Sequence, residues 1–174
     1  MQLGERVTTL LEISSLPDQL SRERVECVVK AVADIGASVL GETPVHDEEI
    51  ANEQVLICEG VLGIISLVGD VEWSLVLGLP SDTAPALTER FAGFAIPFES
   101  EDMGDAVGEL TNLFAGEVKV HLDRIGLRSD ISLPQVFRGA GIEVLRLPNV
   151  PSLALTFQTS CGSFFVAIAA AKVR

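Results

Sequence analysis

The 174-residue chain is 48% hydrophobic and 21% charged, enough apolar material for one buried core and too much for an intrinsically disordered protein. Its 25 acidic residues against 12 basic ones give a net charge of −13, which repels phosphate backbones and anionic headgroups and argues against nucleic-acid and membrane-surface partners. Three scattered cysteines (Cys27, Cys58 and Cys161), no CxxC pair and only two histidines leave little material for a disulfide frame, a zinc site or a histidine triad.

The first residues carry acidic side chains and no signal-like apolar block, and the most apolar stretch, Val55 to Pro80, is interrupted by Glu59, Asp70 and Glu72. A cytoplasmic chain is expected. Residues 1–16 read as an N-terminal extension of uncertain structure on a single domain spanning 1–174. From Ser21 to Leu40 the apolar residues Val25, Val28, Val29, Val32, Ile35 and Val39 recur every three or four positions, which predicts an amphipathic helix stopping at Gly41. Pro44 to Gln54 is acidic and polar and reads as a loop or an exposed edge strand. His46 beside Asp47, Glu48 and Glu49 is read there as solvated charge.

Two apolar runs, Val55–Val68 and Ser74–Leu79, flank Gly69-Asp70 and predict a hairpin. Trp73 follows that turn and is expected to be structural. Pro80-Ser81-Asp82 offers a helix N-cap leading into Thr83–Phe91. Glu99, Glu101 and Asp102 then open a second long helix, Asp102 to Ile125, ending at Gly126, with its acidic residues at the positive end of the helix dipole. Strands are predicted at Ile131–Phe137, Ile142–Leu147, Ser152–Gln158 and Ser163–Lys172, with Gly162 at the last turn. Each half thus reads as a long helix, an extended segment and an apolar hairpin.

At 100° per residue, Val107, Leu110, Phe114, Val118, Leu122 and Ile125 fall on one side of the second long helix. His121 lies on that core side and is expected to be a packed histidine. Asp105, Glu109, Asn112, Gly116 and Asp123 share a narrow arc opposite, with Glu109 and Asn112 three residues apart and hence neighbours. Gly108 and Gly116 each cost a helix about 0.5–1 kcal/mol relative to Ala. Gly116, one turn past Asn112, opens the surface to a partner. Physical chemistry alone gives a docking face with one carboxylate and one carboxamide.

The run Asp105-Ala-Val-Gly-Glu109-Leu-Thr-Asn112-Leu-Phe-Ala-Gly116 resembles the signature helix of the CheC, CheX and FliY family of chemotaxis phosphatases. Pro134 lies some twenty residues downstream, as the family pattern has it, and Gly63-Ile-Ile-Ser-Leu-Val-Gly-Asp70-Val-Glu-Trp-Ser74 resembles its central hairpin. Glu49-Ile-Ala-Asn52 has the same bare spacing without any of that context. The resemblance implies an α+β, CheC-like fold of two pseudo-repeated α/β units, with a mostly antiparallel sheet packed by long helices. The N-terminal helix has no Asn three after Glu26, so one site per chain is expected, the CheX arrangement.

The resemblance further implies a phosphatase acting on the aspartyl-phosphate of a CheY-type response regulator. Asn112 would orient the attacking water and Glu109 would pair with the regulator's active-site lysine, with Asp105, Gly116 and Pro134 in the partner-binding surface. The chain would carry no metal or cofactor of its own, Mg²⁺ belonging to the regulator. A homodimer through sheet edges is expected, the apolar C-terminal strand being a candidate edge. The alternative is a non-catalytic module that binds receiver domains or pairs with itself.

Overall fold

The computed structural model describes residues 18–51, 56–144 and 149–171. The N-terminal extension, Asn52 and the end of the strand expected at Ile142–Leu147 lie outside them. Three helices and seven strands form among the described residues: α1 (Arg22–Ile35), β1 (Val45–Ala51), β2 (Leu56–Gly69), β3 (Trp73–Pro80), α2 (Ala84–Ala92), α3 (Glu101–Arg124), β4 (Ser129–Ile131), β5 (Gln135–Val144), β6 (Ser152–Thr159) and β7 (Gly162–Ala170). None of the helices is long and apolar enough to cross a membrane.

The apolar spacing of α1 buries Val25, Val28, Ala31 and Val32, and the helix widens into a π turn, Gly36–Leu40, before Gly41. The acidic segment after it is an edge strand, β1. Helix α2 begins one residue later than the cap signal suggested: Thr83 is its N-cap, and Asp82 accepts a hydrogen bond from the Thr83 hydroxyl instead of capping the helix. Pro85 in the first turn has no N–H that needs a cap. Trp73 is buried and donates its indole N–H to the Gln19 carbonyl at 3.1 Å.

The sheet order is β1-β6-β7-β3-β2-β4, with β5 also on β2, and every registered pair is antiparallel. β4 and β5 lie in line along the outer side of β2, which is long enough at 14 residues to pair with both. The lanes read the same from either end once β1 is matched with β5, β2 with β6 and β3 with β7. Each half therefore lends its extended segment to the hairpin of the other half, and the two apolar hairpins meet at β3–β7.

Two expectations change with this topology. The segments predicted as separate strands, Ile131–Phe137 and Ile142–Leu147, are parts of one lane. Gly141, at φ +68°, is a bulge where two residues of β5 face one of β2, and a glycine at positive φ marks a bulge as readily as a turn. The apolar C-terminal strand is β7, in the middle of the sheet; β1 and the β4–β5 lane are the edges. An apolar strand flanked on both sides belongs in the interior, where its alternating side chains are covered.

Helices α1 and α3 pack on one face of the sheet in a shared core with Val61, Ile65, Leu75, Leu155 and Val166. The closest approach is between α3 and β2. A Cβ placed on Gly63 would stand 1.8 Å from Thr111 Oγ1 and 2.9 Å from Thr111 Cβ, so only glycine lets the helix settle there. Thr111 is fully buried and donates its hydroxyl to the Val107 carbonyl one turn back at 2.6 Å, which satisfies it without a partner on the sheet. Gly63→Ala is expected to lower unfolding stability by about 1–3 kcal/mol through overpacking, read as a shift in denaturant midpoint. An unchanged midpoint would mean that α3 is not seated on this glycine.

Candidate functional site

The stripe predicted for α3 is its buried side: Val107, Leu110, Phe114, Val118 and Leu122 are all at most 3% exposed. With Thr111 turned into the sheet, the 100° step per residue carries Asn112 to the flank of the helix and Glu109 outward. Asp105, Glu109 and Asp123 are exposed, and Asn112 and Gly116 are half-buried. The N-terminus of α3 is held in place by Arg138 on β5, whose guanidinium donates to the carbonyls of Phe98 (2.8 Å) and Ser100 (2.6 Å). Glu101 and Asp102 occupy the first turn, as expected.

Asn112 stands in a row with Gly108 and Lys119, all within about 40° around the helix. Both neighbours touch the β4–β5 lane. A Cβ on Gly108 would meet Val136 at 3.5 Å, and Lys119 Nζ lies 3.2 Å from Asp130 Oδ1. The lane therefore passes along the Asn112 flank of α3, running from residue 130 beside Lys119 back to residue 136 beside Gly108. Pro134 lies in the chain between these two contacts, in the stretch that joins β4 to β5.

Glu109, Asn112 and Asp105 have no hydrogen-bond or ion-pair partner among the described residues. A carboxylate and a carboxamide on adjacent turns, neither side chain engaged by the described residues, keep their hydrogen-bonding capacity for another molecule. A Cβ at Gly116 would meet nothing within 4 Å, so the glycine leaves open surface beside Asn112. The other Glu-x-x-Asn run begins with Glu49 on strand β1, and its Asn52 lies outside the described residues.

His121 is buried, as its place on the core side required, and it ties α3 to α1: Nε2 lies 2.8 Å from Asp34 Oδ2 and 3.6 Å from Glu117 Oε1. Arg124 Nη1, which can only donate, is 3.2 Å from Nδ1 and thereby places the ring proton on Nε2, toward Asp34. Asp34, Glu117 and His121 have the donor types of a metal site within 4.8 Å of one another. The Arg124 cation at the same imidazole opposes a second positive charge there, and the arrangement acts as an interhelical hydrogen-bond network. Asp34 and His121 are 87 residues apart, so neither local pattern carries any sign of the pairing. His46 packs against Phe157, with ring centroids 5.3 Å apart, rather than standing free in a charged loop. Burial raises the thiol pKa of Cys27 above its usual value, consistent with a small core residue.

Comparison with known proteins places this geometry. Residues 61–158, more than half of the chain, match the sequence profile of the family described as chemotaxis phosphatase CheX. The chain is 25% identical over 121 residues to the CheY-P phosphatase CheX of Thermotoga maritima, covering 69% of this chain and 78% of that one. The crystal structure of a chemotaxis protein CheX from Desulfovibrio desulfuricans superposes with a TM-score of 0.77 at 23% identity, over 86% of this chain and 99% of the other. A crystal structure of the CheX–CheY–BeF3–Mg²⁺ complex from Borrelia burgdorferi matches with a TM-score of 0.71 at 20% identity, over 86% and 98% of the two chains.

The open space at Gly116 has a consequence for stability. Gly116→Ala is expected to raise unfolding stability by about 0.5–1 kcal/mol, because helix propensity improves and nothing is displaced. Destabilisation in a urea titration would mean that the position is packed after all.

Proposed function

This chain belongs to the family of the chemotaxis phosphatase CheX, and we propose that it removes the phosphoryl group from the aspartyl-phosphate of a CheY-type response regulator in the cytoplasm. In this reading Asn112 enters the regulator's active site and orients the attacking water. Glu109 pairs with the regulator's active-site lysine and fixes the docked pose, with Asp105, Gly116 and Pro134 in the surrounding contact surface. The observation that carries the reading is the pair of exposed Glu109 and half-buried Asn112 on one side of α3, neither side chain engaged by the described residues, with open space at Gly116.

The chemistry asks little of the chain. The regulator already hydrolyses its own aspartyl-phosphate slowly, so positioning one water is the task left. A hundredfold acceleration needs about 2.7 kcal/mol of barrier lowering. One held carboxamide and one ion pair can supply that in a site closed by docking. Mg²⁺ is assigned to the regulator, and the Borrelia burgdorferi complex of the same fold, which contains CheY, BeF3 and Mg²⁺, supports a partner of this type. Water reaches the phosphorus directly, and no residue of this chain becomes phosphorylated.

A homodimer would use a sheet edge, and β5 is the candidate: its inner side pairs with β2, and all its residues are exposed or half-buried. A clean monomer in light scattering across micromolar concentrations would refute it. The activity is tested by mixing the purified chain with phosphorylated receiver domains of its host and following phosphate loss. Wild type should accelerate loss from at least one receiver, and Asn112→Ala should abolish that acceleration, returning the rate to that of the receiver alone with an unchanged unfolding midpoint. Binding without turnover would favour a non-catalytic module, and an Asn112→Ala variant as active as wild type would overturn the site.

A further inference from the structure

We infer that Leu133 is the apolar anchor by which the receiver partner seats on the Glu109–Asn112 face; the inference rests on the function proposed above and names a contact it leaves open. Leu133 is 87% exposed, well beyond Val45, Val68, Phe94, Val120 and Phe137, the other exposed large apolar residues among the described residues. A single exposed leucine is ordinary on a protein surface. What sets this one apart is how it is held and where.

Leu133 sits on a bulge in the β4–β5 lane. Ser132 faces Ser66 and Gln135 pairs with Ile64, so Leu133 and Pro134 together stand opposite the single residue Ile65. The bulge is fixed on both sides. Ser132 donates its backbone N–H to the Ser66 carbonyl at 2.9 Å, and its hydroxyl accepts the Ser66 N–H at 3.0 Å where a ladder carbonyl would otherwise stand. The same hydroxyl donates to the Leu133 carbonyl at 3.0 Å. Pro134 has a fixed φ and no N–H to leave unpaired. The leucine is thus projected into solvent from a braced backbone, and an anchor already ordered in the free protein loses little entropy on binding.

Its place is beside the working residues. The lane meets α3 at Lys119–Asp130 and at Gly108–Val136, and residue 133 is midway between residues 130 and 136, as Asn112 and Gly116 lie between Gly108 and Lys119 on the helix. A standard interface buries about 800 Å² per partner and spans roughly 30 Å, so a receiver centred on Asn112 covers Leu133 as well. On the helix, Val120, 41% exposed, lies on the opposite side of Gly116 from the lane. The open surface at Gly116 is therefore bordered by one apolar side chain on each side. The arc between carries Asp105, Glu109 and Asp123, and such acidic groups give orientation and specificity more than affinity. The apolar border supplies the buried contact that interfaces use as an energetic centre.

Steady-state dephosphorylation of the receiver found in the assay above separates the possibilities. Leu133→Ser should raise KM roughly tenfold, leave kcat within about twofold and leave the unfolding midpoint unchanged; Leu133→Met should restore KM to near the wild-type value. An unchanged KM overturns the inference, as does a fall in kcat at constant KM, which would place Leu133 in the chemistry. Loss of self-association with KM unaltered would assign the leucine to a second copy of this chain and also overturn it. Failure of the proposed function is a different result: the wild-type chain would then accelerate no receiver, before any variant is compared.

Discussion

The working face depends on the contact between Thr111 and Gly63. A helix laid on a sheet can rotate about its own axis, and its polar side then points wherever the packing leaves it. Here a missing side chain on β2 receives a threonine of α3, and that seat, together with the buried stripe, fixes the rotation of a 24-residue helix. With Thr111 turned down, the next residue, Asn112, comes to the flank along which the β4–β5 lane runs, and Glu109 faces solvent. The hydroxyl costs little, although its oxygen stands nearest Gly63, because it bonds back to the Val107 carbonyl. Arg138 and the His121–Asp34 bond hold the two ends of the helix to different elements, β5 and α1. The site is on the outside of the protein but it is held as firmly as a core element.

The exchange of extended segments between the halves gives this arrangement its frame. β5 completes the hairpin of the first half, and β1 completes that of the second, so neither half has a finished sheet alone. The lane that flanks Asn112 therefore comes from the same half as α3 but pairs with the hairpin of the other. A chemical group on α3 and a bulge on the lane are brought to one surface by two separate anchorings to β2. An enzyme that finishes another protein's active site needs this kind of face: rigid, shallow and free of internal partners.

Much of this is legible from residues alone, for identifiable reasons. The Val107–Leu110–Phe114–Val118–Leu122 stripe dictates which side of α3 is buried, and burial of that side is what exposes Glu109. The two hairpins, with Gly69-Asp70 and Gly162 at their turns, follow from apolar runs and turn chemistry. The pseudo-repeat is visible as an order of elements, but the exchange is not, because pairing partners distant in sequence leave no mark on either segment. The lane reads as two strands divided near Gly139 and Gly141 because glycines interrupt a strand pattern whether they make a turn or a bulge. The break in the lane instead falls around Pro134, inside the strand expected at Ile131–Phe137. The Gly63–Thr111 seat joins positions far apart in the chain and is out of reach for the same reason as the His121–Asp34 pair. The family resemblance points to Glu109 and Asn112 as the candidate pair; the fold explains why Glu109 faces solvent while Asn112 sits half-buried on the flank of α3.

The most direct test is to observe Asn112 itself. In an amide NMR spectrum of the chain, the Asn112 side-chain NH₂ resonances should shift or broaden when a cognate receiver loaded with Mg²⁺ and beryllofluoride is added. The unloaded receiver should perturb them much less. If they stay unmoved by the loaded receiver while other α3 signals respond, the chain docks without placing Asn112 in the phosphorylated site, and Asn112 is not the residue that positions the water.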